Sequence, residues 1–304
     1  MKNLILVWIV LGFTTLFGAG DLHIFTVANA DKKVNAELIE KSLEANGFYI
    51  SANSEMTGPF QKQFQQSDFD VFHLLTVFHK QYAASLVKTH PDGGIFVPMG
   101  VGIYQRKGDA NLHISVLTAD AQKKIAGFDA PEFALIEKAL LSTIQKTLPN
   151  AAHAYSEESL PATGTLLSRY TRHTDAQSWQ GDKDDTEMMI EEGLKPAGFV
   201  MSNFTDYNFM LNEGTEPSPF DFYDTYSICK LKVIYNVAKT RPEASAFAPC
   251  TLMVYKKKGA DEIVMGFPGV YNWMSSARVE DAEAKEVLTQ AQNDFEEVLK
   301  SVAE

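Results

Sequence analysis

The sequence predicts an α+β chain: two tandem copies of a mostly antiparallel or mixed sheet, each with helices packed on one face. Three observations predict it. The stretch Pro91–Gly108 recurs as Pro242–Gly259. Phe96, Pro98, Tyr104, Lys107 and Gly108 return as Phe247, Pro249, Tyr255, Lys258 and Gly259, at a constant separation (249 − 98 = 151). Strand-like and helix-like segments do not alternate strictly, and each copy holds an antiparallel hairpin, which argues against a doubly wound parallel sheet. A chain of 304 residues with 45% apolar content can bury one large core or two medium ones, and the 151-residue period favours two.

The elements follow in order. Leu22–Ala28 has strand composition. Asn35–Ala45 places Leu38, Ile39, Ser42 and Leu43 at helical spacing, and Asn46-Gly47 ends it because glycine accepts the left-handed conformation. Phe48–Ala52 and Phe69–Val77 read as strands, separated by the loop signal Gly58-Pro59. His79–Thr89 reads as a helix stopped by Pro91, Gly93 and Gly94. Val97–Gln105 and Leu112–Val116 form a hairpin across the polar turn Arg106–Asn111. Pro131–Leu148 is a long helix, with Phe133, Ile136, Leu140, Leu141 and Ile144 on one stripe.

Pro149–Gly164 is rich in Ala, Ser, Pro and Gly and lacks periodicity, so it reads as the linker between copies spanning 21–148 and 165–304. The second copy opens with strand-like Leu166–Thr171 and a polar insertion around Asp175–Asp185. From Glu187 the copies march together. Ile190, Leu194, Gly198 and Phe199 match Ile39, Leu43, Gly47 and Phe48, and Ser218, Phe220 and Asp221 match Ser67, Phe69 and Asp70. Asp281–Val302 matches the long helix Pro131–Leu148. Matched apolar positions are core, and matched Gly and Pro positions are backbone devices.

The N-terminus reads as a cleavable secretory signal over residues 1–20. Lys2 supplies the positive end, Leu4–Phe17 the apolar stretch, and Gly18, Ala19 and Gly20 the small residues at the cleavage site. The apolar stretch is too short for a comfortable span, and no later run approaches membrane-spanning length. The expected product is exported, periplasmic or secreted, with no stable membrane insertion after cleavage. The net charge of −12 repels phosphate backbones, so nucleic acid is not an expected partner. The basic spot Lys256–Lys258 reads as a solvated hairpin turn.

With the repeat aligned, the second copy resembles the domain of unknown function 302 family. The resemblance lies in a strand ending in Cys (Tyr226–Cys229), a helix (Lys230–Arg241), the turn at Pro242, and a Pro249-Cys250 step opening the hairpin strand Thr251–Tyr255. It covers roughly Glu187–Phe267 and, through the repeat, about Leu38–Val116. The family usually has Asn and Pro after its first Cys, whereas Lys230 and Leu231 follow here. The resemblance implies a small α+β sheet-and-helix domain and no established reaction. Copy one has Phe78 and Met99 where copy two has Cys229 and Cys250, so any cysteine-based function belongs to copy two.

Cys229 and Cys250 are the only cysteines. In an exported protein they are a candidate disulfide or redox pair, and a bridge closing that loop would contribute roughly 3 kcal/mol. Two buried thiols acting as small hydrophobes is an equal alternative, supported by their apolar counterparts. His73, His79, His90 and His113 fit no metal-ligand spacing, and no metal or other cofactor is expected. The acidic run Asp182, Asp184, Asp185 and Glu187 fails as a calcium loop, because the sixth and twelfth positions are Glu187 and Gly193. It reads as helix N-terminal acids. Phe220, Phe222, Tyr223 and Tyr226 are a candidate ligand cleft, or equally a face covered by a helix. No P-loop, dinucleotide fingerprint, GxSxG, HExxH or haem-attachment motif is present. The leading reading is a non-catalytic binding or interaction protein for a small molecule or an envelope protein. The alternative is a thiol/disulfide redox protein or enzyme acting through Cys229 and Cys250. In copy one, Met99 is expected to lie buried against Phe78.

Overall fold

A computed structural model describes residues 20–304 apart from Thr215; the predicted signal segment lies outside the described residues except for Gly20. The first half contains β1 (Leu22–Ala28), α1 (Ala36–Ala45), β2 (Phe48–Glu55), α2 (Thr57–Phe64), β3 (Phe69–His79) and α3 (Lys80–Thr89). A 3-10 turn, Pro91–Phe96, leads to β4 (Met99–Arg106), β5 (Asn111–Leu117), α4 (Ala119–Ala126), α5 (Pro131–Thr147) and β6 (Ala152–Tyr155). The second half contains β7 (Leu167–His173), α6 (Gln180–Leu194), β8 (Val200–Asp206), α7 (Tyr207–Asn212), β9 (Phe220–Cys229) and α8 (Leu231–Thr240). A second 3-10 turn, Pro242–Phe247, leads to β10 (Cys250–Lys257), β11 (Glu262–Pro268), α9 (Tyr271–Ser276) and α10 (Ala282–Ala303).

All described strand pairs are antiparallel. The sheets run β2-β3-β4-β5-β1-β6 and β7-β11-β10-β9-β8, so the second has the strand order of the first without β6. Register repeats as well. Val77 faces Met99 as Ile228 faces Cys250. Gly47 and Gly198 take positive φ after their helices, and Gly108 and Gly259 do so in their hairpin turns. The fold class is therefore α+β with two antiparallel sheets.

Four short helices, α2, α4, α7 and α9, were not legible as periodic patterns; each spans at most eight residues, too few to display an amphipathic repeat. The segment expected to link the copies contains a strand. Its residues Ala152–Tyr155 add β6 to the first sheet, pairing with β1. Four exposed residues carry no periodic signal, and only the open edge of β1 decides that they extend. Lys256 corrects the expected solvated turn. It is fully buried, with Nζ 2.6 Å from Asp221 Oδ2, while Lys257 and Lys258 are exposed. A lysine there is retained only because a carboxylate meets it.

The two halves exchange turns. The first 3-10 turn packs on β10 and β11, and the second packs on β4, β5 and β1. Each sheet thus has helices on one face and the other half's turn on the opposite face. Tyr255 Oη donates to Asp92 Oδ1 at 2.9 Å, and Thr251 Oγ1 donates to the Pro98 carbonyl at 2.6 Å. The Arg106 guanidinium donates to the Ala238 and Lys239 carbonyls. Gly100 lets the chains close here, since a Cβ would lie 2.6 Å from the carbonyl oxygens of Ala246 and Ala248. One apolar core runs through both halves, and a smaller one lies between the second sheet and α6 and α10.

Candidate functional site

The second sheet holds an apolar cavity at the joint where β9 turns into α8 and where β10 begins. Cys229 is the last residue of β9, Cys250 the first of β10, and Cys250 stands opposite Ile228. Both cysteines line the cavity, together with Phe199, Val233, Ile234, Phe267, Val270, Trp273 and Phe295. The cavity volume is about 30 Å³.

The matching positions of the first half hold larger side chains. Phe78 and Met99 occupy the same register there, and both are buried. Phe78 stacks on Tyr49 at 5.0 Å and meets Tyr207 edge-on at 5.4 Å. Two thiols replace a phenyl ring and a thioether chain in the second half.

Both cysteines are free. Burial pushes the Cys250 thiol up to about 12; the neighbouring Cys229 adds to this, and the Trp273 indole partly opposes it. Burial also raises the Cys229 thiol, with Ser202 opposing. Burial thus outweighs its surroundings and keeps both sulfurs neutral at neutral pH, so neither is an activated nucleophile.

Lys230 stands at the mouth. It occupies the N-cap position of α8 with extended backbone and offers no side-chain cap. In the first half His79 holds that position, and its ring accepts from the Tyr82 amide. Lys230 instead reaches across to α10, with Nζ 2.9 Å from Asp294 Oδ2 and 4.9 Å from the centre of the Phe199 ring. The uncapped first turn of α8 leaves amide hydrogens and the positive dipole end beside Cys229.

The aromatics proposed as a cleft do not form an open face. Phe220, Phe222, Tyr223 and Tyr226 are all buried, and none lines this cavity. Strand alternation splits them. Tyr223 and Phe220 belong to the core shared with the first half, and Tyr223 stacks on Tyr255 at 5.1 Å. Phe222 and Tyr226 belong to the core under α6 and α10. The cavity's own aromatics come from four separated segments, so no local pattern marks them. The one available signal was the Phe78/Met99 to Cys229/Cys250 exchange, a large loss of volume at paired interior positions.

Two polar clusters also escaped sequence reading. His23 Nε2 lies 2.8 Å from Glu137 and its Nδ1 lies 3.0 Å from His153 Nε2. On the second sheet, Tyr226 Oη donates to Glu187 at 2.6 Å, and Lys183 Nζ lies 2.9 Å from Glu187 and 3.0 Å from Asp224. Burial raises the Asp224 carboxyl to about 7, against the pull of Lys183 and with the help of Glu187. Glu187 therefore bridges α6 to β9, while Asp182 lies in the first turn of α6. The histidines read together have separate partners: His73 pairs with Asn53, His79 caps α3, His90 stacks on Phe128, and His113 meets Thr26 and Asp109.

Fold and cavity together describe a sheet-and-helix module whose interior opens beside a pair of thiols. Residues 176–302 match the family model described as Domain of unknown function DUF302. A solved structure described as an uncharacterized conserved protein DUF302 from Bacillus stearothermophilus is similar at 18% identity. The match covers 46% of this chain and 100% of that chain, with a TM-score of 0.38. No curated protein matches the chain. Among the described residues no helix is long and apolar enough to cross a membrane.

Proposed function

We propose that this is an exported, non-catalytic binding protein, formed by tandem duplication, whose ligand seat is the cysteine-lined cavity of the second half. One observation carries the reading: the cavity stands where Cys229 and Cys250 replace the core-filling Phe78 and Met99. Its walls are apolar, its mouth carries the single cation Lys230, and its two sulfurs are held neutral. Such a site retains a small ligand by shape and soft contacts, since it lacks an activated nucleophile. Domains spanning 21–148 and 165–304, joined through 149–164, and a signal peptide over 1–20 complete the proposal. The shared strand order, register and 151-residue spacing support the duplication. A small molecule or an envelope protein segment is the expected occupant.

The test is a back-substitution. Cys229→Phe with Cys250→Met recreates the first half's residues and fills the space. Thermal-shift screening against small molecules and cell-envelope extracts then compares it with the unaltered mature protein. Ligands that stabilise the unaltered protein and not the filled variant support the site. Equal shifts in both move the site elsewhere. N-terminal sequencing of exported material checks cleavage near Gly20–Asp21.

A second reading keeps one supporting observation. The two cysteines line the same cavity, as a thiol/disulfide pair would require. The raised thiols speak against it, and alkylation separates the two readings.

A further inference from the structure

A groove lies between α3 of the first half and α7 of the second, and it shares no lining residue with the cysteine cavity. At about 590 Å³ it falls within the size range of small-ligand sites, about 300–1,000 Å³. Its floor is apolar, made by Phe78, Tyr207, Met210 and Leu211. The helices meet at both ends. At one end Phe78 touches Tyr207 edge-on at 5.4 Å, and Lys80 opens α3 beside it. At the other, Lys88 Nζ donates to the Glu216 carbonyl at 2.8 Å, and Glu213 and Glu216 line the wall. Eight residues of α3 separate Lys80 from Lys88, which at about 1.5 Å per residue sets the ends about 12 Å apart.

The ends differ in charge. Lys80 is the cation of one, while Glu213 and Glu216 outnumber Lys88 at the other. Among the described residues no ion pair takes up Lys80, Glu213 or Glu216. Asp206, next to Tyr207, is engaged as the cap of α7, accepting from the Phe209 amide at 2.9 Å. Between the ends Gln81 and Ser85 stand one turn apart on the α3 wall and offer a carboxamide and a hydroxyl. Tyr207 carries a buried hydroxyl with no hydrogen-bond partner among the described residues, a group that an incoming acceptor would satisfy.

We propose that this groove binds a short peptide with free termini and apolar side chains, its carboxylate at Lys80 and its ammonium at Glu213 and Glu216. An extended chain covers about 3.3–3.6 Å per residue, so about three residues bridge the groove, with the lysine and glutamate side chains closing the remainder. A fatty acid would leave the acidic end unanswered, and an aliphatic amine the lysine. The proposal does not depend on the cysteine cavity.

The test titrates the mature protein with the tripeptide Leu-Ala-Leu by calorimetry. One peptide per chain is expected, with affinity falling as salt is added. Exposed ion pairs are individually weak, so acetylating the amine or amidating the carboxylate should each weaken binding about two- to fivefold. Lys80→Gln should weaken the free peptide by a similar factor and leave the amidated peptide unchanged, a coupling that general damage to the fold does not produce. Ala84→Trp, on the same wall, fills the groove and should weaken binding at least about tenfold, with folding checked by circular dichroism. The Met210 methyl resonance of the unaltered protein should shift on binding, which needs no variant to fold. Cys229→Phe with Cys250→Met should bind the peptide as the unaltered protein does. No binding at millimolar peptide, equal binding of the blocked peptides or of free leucine, an unmoved Met210 methyl, or undiminished binding by folded Ala84→Trp overturns the proposal and leaves the cysteine cavity to its own test. Loss of binding in the cysteine double variant would move the peptide to that cavity and also overturn it.

Discussion

Thiol reactivity is the most direct measure of the cavity. At pH 7.5 an ordinary thiol near 9 is about 3% thiolate, whereas one near 12 is about 0.003% thiolate, a deficit of about 1000-fold. The more basic thiolate is the better nucleophile. With a Brønsted slope of about 0.45, three units return about 20-fold. The net slowing of Cys250 by its environment is thus about 50-fold before access is counted. Enclosure of the sulfur slows it further. Iodoacetamide labelling of the folded, reduced protein, quenched at intervals and resolved by mass spectrometry of each cysteine peptide, is compared with the urea-unfolded chain. Cys250 is expected to react at least about 50-fold more slowly when folded. Its rate should keep climbing beyond pH 9, where the unfolded control levels off. Cys229, shifted in the same direction, should also be slowed. A folded-state rate for either cysteine within about threefold of the unfolded control would refute the buried, neutral-thiol reading and favour the redox alternative.

Other outcomes follow from the packing and the buried charges. Gly94→Ala puts a Cβ into the Tyr223 hydroxyl and 2.6 Å from its Cζ, where the ring is locked against Tyr255 and Phe220. Overpacking and loss of the Tyr223–Pro91 hydrogen bond should cost about 2–5 kcal/mol in urea unfolding, and a loss under about 0.5 kcal/mol would show that the halves do not close this tightly. Asp221→Asn leaves Lys256 buried without its counter-charge and should cost about 3–5 kcal/mol; a neutral result would mean that Lys256 finds water. The Asp224 carboxyl is raised above its unfolded range, so the folded state binds the extra proton between about pH 4 and 7. Its contribution to stability is complete at low pH and is lost as pH rises to about 7. The difference in melting temperature between the unaltered protein and Asp224→Asn should change across that window and be flat above it, and a window below pH 4 would contradict the burial of Asp224 between Lys183 and Glu187.

The sequence by itself showed the recurring stretches and most of the long elements. Phe96, Pro98, Tyr104 and Gly108 and their counterparts report local backbone and core requirements, which depend on neighbours in the chain. The helices at Asn35–Ala45, His79–Thr89 and Pro131–Leu148 were legible because a periodic apolar stripe is a local record of one buried face. Cys229 and Cys250 were legible as a pair through the residues they replace, but not as the floor of a cavity. That required Phe199, Trp273 and Phe295 to arrive from α9, α10 and the approach to β8. Tertiary structure alone decided which face of β9 each aromatic occupies. The exchanged turns cover one face of the sheet and the helices cover the other, so these aromatics are divided between two cores. It also decided that Lys256 is buried and that Ala152–Tyr155 extends a sheet. A partner carboxylate and an open strand edge are properties of residues far away in the chain, and no local pattern encodes them.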